Sequence, residues 1–481
     1  MLRLLRSFSR LTSRSRPPSA MPASRAHSPP TPPPDPSAEP PAKRQRLDQP
    51  DLPDRPRPDP APAPPIESVE DTLTQKPRSL PYDQGMHLAP MVRIGTLPVR
   101  LLALDYGAEL VWGPEIVDKA IIGATRTVDP KSGVISYLKN NRSIFECHPV
   151  EKPRLIFQLG SASPELAVEA IKVIQQDVAG IGLNCGCPKS FSLQGGMGAA
   201  LLKDPERLCA ILKAMVAATD LPIDAKIRLL PLPKETPSVS SASPTPAPGP
   251  DSVPSSPSSS SSLVPPTLLV PETPVPAPSE PTLPLVSRIF STGIANLTVH
   301  CRTQEMRSSE PALHERMREI TALGRETGVP VVCNGDAVGG GSGAGWGNFG
   351  EVCKKTGVSS VMIARAAEAN PSCFSREGLE DPISVVIPRL LRIAIATQNH
   401  FGNTKYILNA INLHISPTPP SRERNRDIKQ RMNKARTYDE MAQIFGITKD
   451  EVERLGKESV EGLVPKWVEK RREMVEREGE P

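Results

Sequence analysis

From Gly85 onward, short apolar runs rich in Val, Ile and Leu alternate with stretches whose apolar positions recur every three to four residues. The runs predict strands at Met86–Met91, Ala108–Trp112, Arg154–Leu159, Gly180–Asn184, Ile223–Arg228, Asn296–His300, Val329–Asn334 and Ser359–Ala364. The periodic stretches between them predict helices at Pro98–Tyr106, Pro164–Asp177, Asp204–Ala217, Leu285–Ser291, Pro311–Glu326 and Gly350–Thr356. Strands that are apolar on both faces need helices on both sides or a closed sheet. Eight β-then-α units therefore predict an α/β fold, a (β/α)8 TIM barrel. A doubly wound open sheet usually has fewer strands and a nucleotide fingerprint after the first, which is absent here. A long excursion after the second strand is expected to hold a small hairpin near Val134–Tyr137 and Ser143–Phe145. Beyond the eighth unit, Pro388–Thr397, Asn403–Leu413 and Tyr438–Gly446 read as helices, and Arg422–Arg436 is strongly basic.

Composition changes the picture in two places. The 58 prolines in 481 residues are concentrated in two tracts, about Arg16–Arg78 and Pro231–Pro284, and the second holds a long serine run. Neither tract can bury enough apolar surface to offset its ordering entropy, so both are expected to be disordered. The resulting organisation is a Pro-rich basic tail over 1–80, a barrel over 81–376 with an insert over 231–284, a helical domain over 377–467, and a charged tail over 468–481. The insert interrupts a βα loop. Loop-closure cost rises only by ~0.6 kcal/mol per doubling of length, so about fifty extra residues are tolerable there.

The net charge of +5 permits an anionic partner without demanding one. Eight scattered cysteines, with no secretory signal, predict reduced thiols in an intracellular protein. No apolar run is long enough to span a bilayer. Met1–Arg16 carries five arginines, four serines and no acid, as a mitochondrial presequence or a basic tail would. Lys43–Arg46 reads either as a nuclear signal or as solvated charge, so cytoplasmic, nuclear and mitochondrial placements all stay open.

In a barrel, chemistry sits at the carboxyl ends of the strands. Polar groups cluster there. The first strand ends in Pro90, Met91, Val92 and Arg93; the third in Gln158; the fourth in Asn184 and Cys187. The fifth ends in Lys226 and Arg228, the sixth in His300 and Arg302, the seventh in Asn334-Gly335-Asp336, the eighth in Ala364-Arg365. The last two positions are where barrels commonly hold a phosphate. Gln158 and Lys226 could face a planar ring extending from it, and a lysine at the pyrimidine edge stabilises a reduced flavin. The constellation suggests FMN, the flavin with one phosphate. A zinc site is not expected, because Cys185 and Cys187 form a single C-x-C with no second pair at metal spacing. Cys185 reads as a small buried spacer.

The segments Leu88–Met91, Asn184–Pro188, Gly195–Leu202, Lys226–Arg228, Val299–Arg302 and Asn334–Asp336 resemble the tRNA-dihydrouridine synthases. Ala364–Ala367 and Asn403–Tyr406 look most like the eukaryotic branch that acts on D-loop uridine 20. The resemblance covers about Gly85–Leu413 apart from the insert. Two departures stand out: Cys301 occupies a position that is usually glycine, putting close backbone approach in question there, and the loop from Ala337 to Gly347 is long and glycine-rich.

The resemblance implies reduction of the uracil 5,6 double bond in tRNA. NADPH or NADH would reduce FMN, which passes hydride to C6, and Cys187 would protonate C5 as general acid. A thiol is a far better proton donor near neutral pH than a serine hydroxyl. Asn184 would hydrogen-bond the uracil; Gln158, Lys226 and His300 would hold the flavin ring, with Pro90, Met91 and Val92 beside it. Asn334, Gly335, Asp336, Ala364 and Arg365 would take the phosphate, and Arg302 would touch flavin or RNA. The target base must leave its stack. Lys405, Arg422 and Arg424, with Arg426, Lys429 and Arg431, are expected to contact phosphates, although they alternate with acids as a solvated face would. Two rivals remain: an FMN barrel acting on a free pyrimidine, and a tRNA-binding protein without chemistry. The basic helical part argues against the first, and Cys187, Lys226 and His300 together argue against the second.

Overall fold

A computed structural model describes residues 80–233, 280–337, 345–417 and 421–478, which fall in one compact unit. The expected presequence, the Lys43–Arg46 cluster, most of the insert and most of the glycine-rich loop lie outside these residues.

Eight parallel strands close on themselves: β1 (Gly85–Leu88), β2 (Val111–Trp112), β3 (Leu155–Gly160), β4 (Gly180–Asn184), β5 (Ile223–Arg228), β6 (Asn296–His300), β7 (Val331–Asn334) and β8 (Ser360–Ile363). The order is sequential, with β8 pairing β1 (Gly85↔Ser360 through Leu88↔Ile363) and β2 pairing β3 (Val111↔Leu155). Strands β4, β5 and β6 begin and end where the apolar pattern predicts. Strands β1, β2, β7 and β8 are shorter than the apolar runs that predict them.

Helices α1 (Leu97–Asp105), α2 (Pro164–Ile174), α3 (Pro205–Ala217), α4 (Leu283–Phe290), α5 (Met317–Thr327) and α6 (Phe349–Thr356) form the outer layer. Their starts follow sequence chemistry. Ser163 and Asp204 accept from the N–H groups of Leu166 and Arg207, and a proline occupies the first turn of each helix they cap. The core lies between strands and helices, with Leu155, Phe157 and Leu159 of β3 fully buried. A second cluster, including Trp112, Ile156, Val332 and Met362, fills the barrel interior.

Two boundaries move. The insert expected to run to residue 284 is folded by Glu280: its carboxylate pairs with Arg316 and accepts from Thr282, and α4 starts at Leu283. The tail expected from 468 is instead part of a helix, α12 (Pro465–Glu478). That helix docks because Trp467 is 1% exposed, its N–H donates to Asp105, and its indole donates to the Val150 carbonyl. The excursion after β2 holds three antiparallel strands rather than two: Thr125–Val128, Ile135–Lys139 and Arg142–Cys147. The first was invisible because all four residues are exposed, leaving no apolar alternation to see. Asn140 and Asn141, both at positive φ, make the tight turn between the other two.

After the barrel come α7 (Ile387–Ala396), α8 (Phe401–Ala410), α9 (Arg422–Lys434), α10 (Tyr438–Ile444) and α11 (Lys449–Leu455). Helix α7 packs on α1 and follows a π-helical turn capped by Asp381. Among the described residues, no helix is long and apolar enough to cross a membrane.

Candidate active site

Strand β5 sets the floor of the site. Its polar residues alternate, so Asp224, Lys226 and Arg228 share one face. Asp224 points into the barrel, where Trp112 Nε1 donates to it at 3.3 Å from the far side. Burial pushes its carboxyl up to about 7. A Cβ on Gly182 would lie 2.7 Å from the same carboxylate, which is why β4 carries glycine there. Lys226, two residues on, therefore also faces inward, one layer nearer the mouth. Burial and then the Arg228 charge bring it down to about 8. The side chains of Lys226 and of Gln158, which is buried near the end of β3, hydrogen-bond no other described residue.

Cys187 sits on the loop beyond β4 and is half-buried. Three contacts hold that loop. Ala199 N–H donates to the Cys187 carbonyl at 3.0 Å, Arg228 Nε donates to the Gly186 carbonyl at 2.9 Å, and Gly186 N–H donates to Asn184 Oδ1 at 3.1 Å. Gly198 closes against it at φ +58°, where a Cβ would meet the Cys187 carbonyl at 2.7 Å. Cys187 lies near Lys226 and Arg228. Cys185, by contrast, is fully buried, and burial pushes its thiol well up.

Across the mouth, His300 meets four cations. Burial, then Lys226, Arg228, Arg302 and Arg365, drives it down to about 2, so the ring is neutral at any working pH. Gly335, at φ +98°, passes so close that a Cβ would lie 2.7 Å from His300 Cδ2. Asn334 donates to the Met362 carbonyl at 2.8 Å, tying β7 to β8.

Asp336 organises rather than receives: its carboxylate pairs with Arg302 and Arg365 and accepts from Ala312 N–H at 3.0 Å. Arg302 is 2% exposed and also donates to the Glu310 carbonyl, so it stands behind His300 and offers no surface to RNA. Arg365 is open to solvent, and Ala364 caps its short helix. Pro90 and Met91 are half-buried at the mouth, while Val92 is 54% exposed. Cys301 does not enter the cradle. It is fully buried beside Cys333, and the adjoining backbone keeps its pairing through Cys301 N–H to the Asn334 carbonyl.

Glu115, just past β2, was missed. Its carboxyl lies beside Asn184, and burial pushes it up. Its signal was a carboxylate three residues after a strand ending in Trp112.

Asn403 joins the helical part to this face, accepting from Thr96 and donating to the Arg93 carbonyl at 2.8 Å. The Arg93 guanidinium stacks 3.9 Å over the Tyr406 ring. Lys405, however, donates to the carbonyls of Asn433 and Ala435 at the end of α9, and Lys429 of α9 donates to those of Asn409 and Ile411 at the end of α8. These two lysines cap each other's helices. Arg422, Arg424 and Arg426 are exposed, and Arg431 pairs with Asp427 at 3.6 Å. A cavity of ≈ 610 Å³ lies at this junction, lined in part by His414, Arg422, Arg426 and Lys429.

The dihydrouridine synthase (Dus) family profile matches residues 87–239 and 278–459. The chain belongs to the dihydrouridine synthase family. A Schizosaccharomyces pombe protein named tRNA-dihydrouridine(20) synthase is 42% identical over 379 residues, covering 76% of this chain and 66% of the relative. A Saccharomyces cerevisiae protein of the same name is 36% identical over 350 residues, covering 69% and 77%. A second S. pombe protein, named tRNA-dihydrouridine(20a/20b) synthase, is 27% identical over 289 residues, covering 60% and 67%. The names of all three carry NAD(P)+.

The cradle fits the single-phosphate flavin of this family. A glycine stands where no Cβ fits, cations ring a neutral histidine, and Lys226 and Gln158 keep their polar atoms unpaired among the described residues.

Proposed function

We propose that this protein reduces the 5,6 double bond of a tRNA D-loop uridine, at position 20, using FMN and NADPH or NADH. The observation that carries this reading is Cys187 on a pinned loop at the end of β4, beside the Lys226–His300 cradle. The names of the relatives at 42% and 36% identity support the position and the nicotinamide.

FMN, once reduced, supplies the reducing equivalent that adds at uracil C6. The chain's residues do the rest. Cys187 donates its Sγ proton to C5: the S–H bond breaks, a C–H bond forms, and a thiolate remains to be reprotonated. Asn184 is aimed by the bond its Oδ1 accepts from Gly186 N–H, which leaves its amide N–H groups for the uracil. Lys226 would oppose negative charge on the flavin, and neutral His300 would offer it a hydrogen bond. Asn334, Gly335 and Arg365 would take the phosphate, with Asp336 and Arg302 holding Arg365 and His300 in place. On the helical part, Arg422, Arg424 and Arg426 are the side chains presented to tRNA phosphates.

The test is dihydrouridine content at each tRNA position, by mass spectrometry, in cells lacking the gene and rescued with wild type or Cys187→Ala. Loss at one D-loop position, restored by wild type alone, is expected. Unchanged dihydrouridine everywhere would overturn the assignment and favour a free-pyrimidine substrate.

A further inference from the structure

Behind the cradle lies a second cluster of chemistry-bearing side chains that the reaction does not use. Cys301 follows β6, Cys333 lies within β7, and His314 opens the turn before α5. One ligand atom from each lies within 4.8 Å of the others, and all three side chains are buried. The two sulfurs are 3.5 Å apart. In register, Val299 pairs with Cys333 and His300 with Asn334, so Cys301 and Cys333 sit diagonally on the outer face of the barrel. The pairing places His300 and Asn334 on the opposite, inner face. Cys301 is the residue that departs from the family's usual glycine.

We infer that Cys301, His314 and Cys333 form a zinc site that braces the phosphate cradle from behind. The donor chemistry favours a thiophilic divalent cation. Two thiols and an imidazole match the zinc ligand set, and a tetrahedral ion with Zn–S bonds of about 2.3 Å holds its sulfurs about 3.8 Å apart. The observed 3.5 Å needs only a few tenths of an ångström of adjustment. A disulfide, by contrast, would leave the converging histidine without a role.

His314 also has the outer contact typical of a ligating histidine: Nε2 meets the Gly335 carbonyl at 2.6 Å. Leu313 N–H donates to the Cys301 carbonyl at 2.6 Å, so the turn before α5, the end of β6 and the β7 loop already converge on this point. Helix α6 packs on the turn that carries His314. Binding balances simply: both thiols release a proton to solvent, and the two thiolates neutralise the Zn²⁺ charge. Burial implies that the ion is taken up during folding rather than exchanged through a channel.

The experiment is elemental analysis of the full-length protein, purified under reducing, oxygen-free conditions and dialysed against a weak chelator. About one zinc per chain is expected, falling below about a tenth in Cys301→Ser and in Cys333→Ser, as for a site that loses a first ligand. Reconstitution with Co²⁺ should add a thiolate-to-cobalt charge-transfer band to wild type that Cys301→Ser lacks. A wild-type protein that takes up no zinc even when refolded with it overturns the proposal, as does zinc retained by both variants. A Cys301–Cys333 disulfide found by peptide mapping of the native protein would also overturn it.

Discussion

Two groups of cations, one at the barrel mouth and one on the α8–α9 pair, look alike in sequence and behave differently in the fold. At the mouth, the Lys226 ammonium has no hydrogen-bond partner among the described residues and is brought down to about 8, while Arg228 and Arg302 aim the Cys187 loop and His300. On α8 and α9, Lys405 and Lys429 close helix ends, and Arg422, Arg424 and Arg426 face solvent. A basic residue with a polar atom left over inside a concave site marks chemistry; one that completes a helix cap marks architecture. Of the helical cations proposed to meet tRNA, the exposed arginines are the ones whose charge faces solvent.

The sharpest way to break this comparison is at the centre of the mouth. Cys187→Ala should lower turnover by about 10²–10⁴-fold, the usual worth of a positioned general acid, while FMN binding is retained. Single-turnover reduction of tRNA with pre-reduced protein reads it directly.

Trp467→Ala tests the opposite end of the molecule, where a side chain has a purely architectural role. Removing this buried indole and its bond to Val150 should cost about 3–5 kcal/mol of stability in urea unfolding, with FMN affinity unchanged in the folded fraction.

Lys226 gives a pH signature. Its cation, present below about pH 8 and lost above it, is the form that favours an anionic flavin. Affinity of the protein for reduced FMN should therefore fall as pH rises through about 8, and Lys226→Met should remove that limb and weaken binding of the reduced form about tenfold or more. His300, at about 2, should contribute no limb near pH 6.5. A retained high-pH limb in Lys226→Met would assign it elsewhere.

The smallest effects separate the helical cations. Arg422→Ala and Arg424→Ala should each reduce the salt slope of tRNA binding by about one and leave melting unchanged. Lys405→Met should do the reverse, lowering the melting temperature through the lost cap while leaving the salt slope near wild type.

Much of the site was legible because barrels put chemistry at strand ends. Once β4, β5 and β6 are read from their apolar runs, Asn184, Cys187, Lys226, Arg228 and His300 fall into place. The helical bounds were legible where capping is local, as at Ser163 and Asp204. Glu115 was not, since a carboxylate in a loop has no periodicity to flag it. The docking of α12 was not, because a charged helix with one buried tryptophan looks like a solvated tail.

The alternation of apolar runs by itself determined the eight-stranded barrel and the strand ends that carry Cys187, Lys226 and His300, because burial on both faces and chain direction are written locally. What each cation does was decided only by tertiary structure. Arg302 is buried behind His300, Lys405 meets the end of a helix that starts seventeen residues later, and Cys301 finds Cys333 and His314 across a strand pair. Those outcomes depend on which groups distant in sequence arrive side by side, and no local pattern encodes that.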